Sequence, residues 1–244
     1  PTINVPANTG NPCLQAPPNI CTEYATYTTV IQLPQRTNGY VITWQRCCRN
    51  ATISNITTPD DWGSTLMARV PPMDQCNNSP QWNSLPPIVL CNQENLQIPS
   101  TATDPDGDSL YYRLVNPLHG GGKNNGTGFN TPAPSPPAPP PYVPINFLNP
   151  STPANPIPGT PALSIGGTTG LLTGFLNVTG QFVLAIEVEE WRSGALLNTA
   201  RRDYQFNVTS CQAFIKADIV SEVDDPEQIC IGATVPFFHE SINA

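Results

Sequence analysis

Thirty prolines are spread through the 244 residues, about 12 % of the chain against roughly 5 % in ordinary proteins. Proline lacks a backbone N–H and fixes φ, so each one ends a helix or sits at the edge of a sheet. The rest of the composition points the same way. Only 11 % of residues are charged, against about 25 % on average, and lysine occurs at Lys123 and Lys216 alone. Asn and Thr stand where strong helix formers would be. A helical bundle is therefore excluded, and strands, turns and polyproline stretches are expected.

Short runs bounded by turn formers carry the strand signal. Tyr27–Leu33 (YTTVIQL) and Tyr40–Arg46 (YVITWQR) flank Pro34–Gly39, whose Asn38-Gly39 pair predicts a hairpin. In the second run Tyr40, Ile42 and Trp44 share one side, as in a half-buried strand. Thr65–Val70 is another short strand. The pattern restarts after residues 78–80 with Pro86–Cys91, then Leu110–Val115, Gln181–Glu189 and Arg202–Thr209. In Gln181–Glu189 the apolar residues Phe182, Leu184, Ile186 and Val188 fall on one face. Between these runs, Pro117–Pro161 contains Gly120–Gly122 and TPAPSPPAPPPYVP, and reads as an exposed polyproline II excursion.

This pattern predicts an all-β chain of tandem Ig-like or cadherin-like β-sandwiches. Residues 1–85 form an N-terminal disulfide-containing β domain. Residues 86–211 form a sandwich with a proline-rich insertion at 117–161 projecting from it. Residues 212–244 are too short for a sandwich and must bury Phe214, Ile215, Ile219, Val220, Ile229, Ile231, Val235, Phe237 and Phe238 elsewhere. Packing on the second domain, adding a strand to a neighbouring chain, or opening a further domain would each do so; strand addition repeated head to tail would make a filament.

A net charge of −8 disfavours nucleic acid and anionic lipid as partners, because both need clustered Lys or Arg. No apolar run approaches the roughly 20 residues of a membrane-spanning helix. With neither an initiator Met nor a basic, apolar leader, the chain reads as a processed or excised piece. Its eight cysteines, at 13, 21, 47, 48, 76, 91, 211 and 230, form no CxxC pair. An even count in this composition favours an oxidising, extracellular setting over zinc. Cys91 and Cys211 end the first and last strands of one sandwich and are expected to pair. Cys47 and Cys48 are expected to reach separate partners among Cys13, Cys21 and Cys76. The pairing within that group, and that of Cys230, stays open.

Several long segments resemble one family: WQRCCRNATISNI (44–56), NSPQWNSLPPIVLC (78–91), ATDPDGDSLYYRL (102–114), PAPPPYVPINF (137–147), TTGLLTG (168–174) and GQFVLAIEVEEWRSGALLNTARRDYQFNV (180–208). They resemble large PKD-repeat surface proteins of Bacteroidetes, often labelled gliding-motility-associated and exported by type IX secretion. ICIGATVPFFHES (229–241) looks like the opening strands of a PKD module. The resemblance implies a secreted or cell-surface protein with a structural or adhesive role, no enzyme activity, and an N-terminal portion of something longer. Self-association, other surface proteins and glycans are the partners it suggests.

The sharpest local signal is Asp104-Pro-Asp106-Gly-Asp108, three carboxylates at alternate positions of a tight turn. Such a set can converge on a hard cation such as Ca²⁺. It is no EF-hand loop, since Gly107 stands fourth and Val115 twelfth. The spacing resembles the DxDGDxL turn of cadherin-like repeats, where such aspartates often meet Ca²⁺. The alternative is a plain turn whose Asp side chains accept backbone N–H groups, with Gly107 supplying positive φ. Asp108-Ser109-Leu110 matches an O-glycosylation signal of Bacteroidetes, which makes Ser109 a candidate glycosylation site. N-x-S/T sequons at Asn50, Asn55, Asn77, Asn125, Asn177 and Asn207 follow from the composition under that bacterial reading.

Two other functional classes compete. For an enzyme there are only His119 and His239, with no HExxH and no GxSxG, so no catalytic residues are assigned. Glu187, Glu189 and Glu190 offer paired carboxylates for glycoside hydrolysis. Alternation puts Glu187 and Glu189 outward, and cross-strand pairing with Arg201 and Arg202 is the simpler explanation. For a lectin-like carbohydrate-binding module, Trp62, Trp82 and Trp191 are candidate stacking platforms.

Overall fold

The computed structural model describes residues 3–5, 8–9, 14–16, 22–72, 76–120, 137–213, 219–221 and 237–239. In chain order the strands are β1 (Ile3–Val5), β2 (Leu14–Gln15), β3 (Thr22–Tyr24), β4 (Tyr40–Arg46), β5 (Ser64–Val70), β6 (Gln81–Trp82), β7 (Val89–Cys91), β8 (Asn95–Pro99) and β9 (Ala102–Thr103). There follow β10 (Ser109–Val115), β11 (Ser164–Ile165), β12 (Leu171–Phe175), β13 (Gly180–Arg192), β14 (Ala195–Thr209), β15 (Gln212–Ala213), β16 (Ile219–Ser221) and β17 (Phe237–His239). The chain is all-β, as its composition requires. Among the described residues the one helical segment is a 3-10 turn at Pro59–Asp61, and no helix is long and apolar enough to cross a membrane.

The longest element is the β13–β14 hairpin. Its two-residue turn has Ser193 at φ 51° and Gly194 at φ 82°, the double left-handed geometry that matches strand twist. A Cβ on Gly194 would touch nothing within 4 Å, so glycine is needed there for its backbone freedom alone. The ladder runs from Arg192 opposite Ala195 to Gly180 opposite Val208. It is broken once, where Glu190 faces Asn198 and Trp191 faces Leu196, leaving Leu197 as the extra residue of a bulge.

The six-stranded sheet grows outward from this hairpin in the order β10-β13-β14-β5-β4. The outer edge of β14 is shared: β5 pairs at Ala200 and Arg201, and β7 runs parallel to it at Asn207–Thr209. Strands from both sides of residue 85 thus lie in one sheet, which replaces the expected separation into two sandwiches at that point. The physical reason is plain: β4 and β5 alone would be a marginal two-stranded ribbon. A three-stranded sheet, β11-β12-β8, completes the sandwich. Leu90, Leu96, Ile98, Tyr112, Leu172, Leu184, Ile186 and Phe206 form part of the buried cluster of this core.

The other face of the large sheet is covered as well. Ile53 and Ile56, from the β4–β5 connection, pack with Val183 of β13 and with Ile145, Trp62 and Phe147. Phe182 to Ile186 is therefore buried at every position, where alternation predicted one buried face. The proline-rich stretch also departs from its expected exposure. Ile145 is 1 % exposed and Ile157 0 %, one in each core cluster, and Leu118 and His119 are buried. Polyproline backbone makes no internal hydrogen bonds, so it must be satisfied from outside. Here the Gln45 amide donates to Ala138 O (2.9 Å) and accepts from Ala138 N–H (2.8 Å). Residues 121–136, including Lys123 and Asn125, lie outside the described residues.

Other expectations also change. Tyr27–Leu33 forms no strand; β4 takes β5 as its partner along all seven residues, from Tyr40–Val70 to Arg46–Ser64. Among the described residues no layer lies over the 27–33 segment, and Tyr27, Val30 and Ile31 are exposed. Cys91 and Cys211 are bonded, with Cα atoms 5.4 Å apart. Cys47 and Cys48 are bonded to each other (Cα–Cα 3.0 Å) instead of to separate partners. Cys76 is an exposed free thiol, while Cys13, Cys21 and Cys230 lie outside the described residues. In the tail, β15 pairs with β2 and β16 with β17, both within the chain. Phe214, Ile215, Ile229, Ile231 and Val235 are outside the described residues.

Asn55, read from the sequence only as part of a sequon, is buried at the junction of these layers. β10 stops pairing at Ala185, and Ser54 N–H from the β4–β5 connection bonds Gln181 O (2.8 Å), which leaves a gap on this edge of β13 at Val183. The Asn55 side chain fills the gap, accepting from Val183 N–H (3.0 Å) and donating to Val183 O (2.7 Å) and Pro156 O (2.9 Å). An Asn55→Ala change strands three buried backbone groups. We expect it to cost on the order of 3 kcal/mol in denaturant unfolding, while Asn50→Ala, at an exposed position, costs roughly 0.5 kcal/mol or less.

Candidate functional site

The carboxylate turn lies between β9 and β10. Asp104 Oδ1 accepts the N–H groups of Asp106 (2.9 Å) and Asp108 (3.0 Å), which closes the turn. Gly107 takes φ +82°, a conformation that side chains rarely adopt. These are the bonds of a plain Asx turn. They leave carboxylate oxygens over: one atom from each of Asp104, Asp106 and Asp108 lies within 4.8 Å of the others, a group able to hold a metal ion.

One cation is already present in the protein itself. Arg192, the last residue of β13, donates to Asp108 through Nε (2.7 Å) and a terminal nitrogen (2.6 Å) and reaches Asp106 at 3.3 Å. It also donates to Cys76 O (3.0 Å) and Asn77 Oδ1 (3.1 Å). The backbone and side chain of Asn78 donate to Asp106 at 2.7 and 2.8 Å. Segment 76–78 is thus bound to the turn through Arg192 and Asp106. The Asn78 bonds hold the Asp106 carboxyl below its ordinary value, and the Arg192 bond does the same for Asp108.

Beneath the turn is a residue the sequence reading did not assign to it. Glu190 continues the face of Phe182, Leu184, Ile186 and Val188 and is 0 % exposed. Its Oε2 accepts from Asn198 Nδ2 (3.2 Å), and Asn198 is held in turn by Ser79 Oγ and Arg69 N–H. Among the described residues, Glu190 Oε1, Asp104 Oδ2 and Asn77 Nδ2 are buried without a close hydrogen-bond partner, while the Asn77 and Asp108 side chains both lie near enough to Glu190 to shift its titration. Burial, then the nearby Asp108 and Asp104 carboxyls, push Glu190 from its ordinary 4.5 to about 7. Four carboxyl groups thus stand against one guanidinium. A hard cation with oxygen ligands fits that surplus, and the Asp104, Asp106 and Asp108 carboxylates, with Glu190 beneath them, are the groups able to receive it.

The other candidates are dispersed. Glu187 pairs with Arg201 (2.5 Å) and Glu189 with Arg113 (2.7 Å), both on the outer face, while Glu190 lies on the opposite one. Arg202, expected to join the ion pairs, stacks over Trp82 instead, 5.2 Å from its ring. His119 is buried against Trp62 with Nδ1 accepting Gly63 N–H (3.2 Å), and the His239 side chain lies outside what is described. Ser109 is exposed at the start of β10, opposite Trp191. Trp62 donates to Thr57 O, and Trp82 packs edge-on against Tyr204; Trp191 borders an open groove. Compared with protein-family models, with curated proteins and with solved structures, the chain matches none of them.

The Glu190 carboxyl makes a signed prediction. The folded chain keeps this proton after the unfolded chain has lost it, so stability declines as pH rises from about 4.5 toward about 7 and is level above. In metal-free buffer Glu190→Gln should remove that decline. Thermal midpoints at about pH 5 and about pH 8 then converge in the variant and differ in the parent.

Proposed function

We propose that this chain is a non-enzymatic structural and adhesive segment of an extracellular, cell-surface protein. The observation that carries the reading is the Cys91–Cys211 bond, which joins the end of β7 to the chain just past β14 across 120 positions. Disulfides persist in oxidising compartments, and one closing so long a loop typically contributes about 2–4 kcal/mol. It sits where β7 and β14 run side by side, so a covalent bond backs the parallel pairing of those two strands. The resemblance of the long motifs to gliding-motility-associated surface proteins supports the same setting. An antibody against the chain should label intact, unpermeabilised producing cells. Labelling only after permeabilisation overturns the reading.

The same reading gives Ca²⁺ a structural place at the carboxylate turn. Asp104 Oδ2 and Glu190 Oε1, with Asp108 beside them, are the atoms that would hold it. Such an ion would draw Glu190 into its charged form and fix the turn against the β13–β14 hairpin. Calcium in about hundredfold excess over its Kd should stabilise the chain by roughly 2.7 kcal/mol. An Asp104→Asn/Glu190→Gln double variant should lose both that gain and the heat of binding in isothermal titration. Unchanged heat in the variant removes calcium from this site.

A further inference from the structure

On the outer face of the large sheet, away from the Glu190 side, β10 and β13 border an open groove of about 420 Å³. Register places Ser109 opposite Trp191 and Tyr111 opposite Glu189, so all four project to this side, as does Arg113; Thr168 closes one end. Glu189 organises the groove. It is 6 % exposed despite its outward position. Its Oε2 accepts from the Arg113 guanidinium (2.9 Å) and from the Trp191 indole N–H (3.1 Å), and its Oε1 lies 2.7 Å from the same Arg113 nitrogen. One buried group thus fixes the plane of an indole and the reach of a guanidinium.

The pairing also sets the charge. Arg113 and Glu189 cancel, so the groove has two aromatic rings and no net charge. Arg113 lies over the Tyr111 ring at 5.4 Å and is 52 % exposed, which leaves donors of its fork facing solvent. Ser109 and Thr168 also line the groove. A fixed aromatic surface answers the apolar C–H face of a pyranose ring, and the Arg113 donors answer its hydroxyl edge. A charged ligand would gain nothing from a neutralised pair. The volume falls within the roughly 300–1,000 Å³ of small-molecule sites.

We propose that this groove binds a neutral saccharide, with Trp191 as the stacking platform and Arg113 as the hydroxyl donor. The inference deepens the adhesive reading above by naming a partner class. The whole chain, in calcium-containing buffer, is applied to an array of neutral and acidic glycans, and the best neutral hit is titrated calorimetrically. Neutral hexose-containing glycans should bind. Trp191→Ala should weaken binding by at least about tenfold and Arg113→Ala by several-fold. Because Trp191→Ala also removes a donor from buried Glu189, Trp191→Phe is measured beside it, with the thermal midpoint of each variant. The phenyl ring should retain more binding than alanine does. Three results overturn the proposal: no signal above background, binding confined to acidic glycans, or alanine and phenylalanine variants that bind as the parent does. None of the changed residues belongs to the carboxylate turn, so failure here leaves surface exposure and calcium binding to be judged by their own experiments.

Discussion

β13 is covered on both faces, and this burial constrains everything around it. A strand buried on one side can leave the other to water. From Phe182 to Ile186 this one cannot. Each large aliphatic group it buries is worth roughly 1.5–3 kcal/mol, but its backbone groups must then all be paired within the protein. β14 supplies one edge throughout. β10 supplies the other only from Ala185 onward, and the Asn55 amide takes over at Val183. That is why the β4–β5 connection and the proline-rich stretch pack here and do not stand apart as separate domains. They form the second wall of a strand that needs two.

The carboxylate site follows from the same strand running past the end of its core. The positions that carry Phe182, Leu184, Ile186 and Val188 inward continue to Glu190 and Arg192 with no change of period. At Glu190 the face is still dry, so the carboxyl is buried beside Asn198 and keeps its proton up to near neutrality. At Arg192 the face has reached the Asp turn, and the guanidinium closes over Asp108. Burying a carboxyl unpaired is costly, and natural chains retain such groups where something else repays them. Here the surplus of negative charge is itself what a cation would stabilise.

Much of this was legible. The runs YVITWQR, TLMARV, PPIVLC, LYYRLV, QFVLAIEVE and RDYQFNV located all six strands of the large sheet, and the expected Cys91–Cys211 pair is bonded. The turn chemistry of Asp104 and Gly107 was readable from residue types alone. The third layer was not, because irregular backbone has no period, and proline density resembles a solvated linker whether or not Ile145 and Ile157 are buried. YTTVIQL misled for the opposite reason: its strand propensity is real, but among the described residues nothing pairs with it or covers it. Glu190 was within reach. Extending the even positions of β13 by one step places it on the core face, but a carboxylate is naturally read with its neighbours Glu187 and Glu189 as surface charge.

The last residues of β13 therefore have two unrelated surroundings, separated by the thickness of one sheet. Glu190 and Arg192 face the carboxylate turn, while Glu189 and Trp191 face the groove beside Arg113 and Tyr111. Side chains on opposite faces of a strand do not touch, so they can interact only through backbone that both sides share. Two pieces of backbone qualify: the tight Ser193–Gly194 turn with its neighbouring bulge, and the junction where Asp108 of the turn becomes Ser109 of β10. The first is held by conformations few residues other than glycine adopt. The second is held by Arg192 on one side and by register opposite Trp191 on the other. A cation that stiffens the turn would thus pin the strand end carrying the groove without entering it, and both surfaces owe their order to the same hairpin.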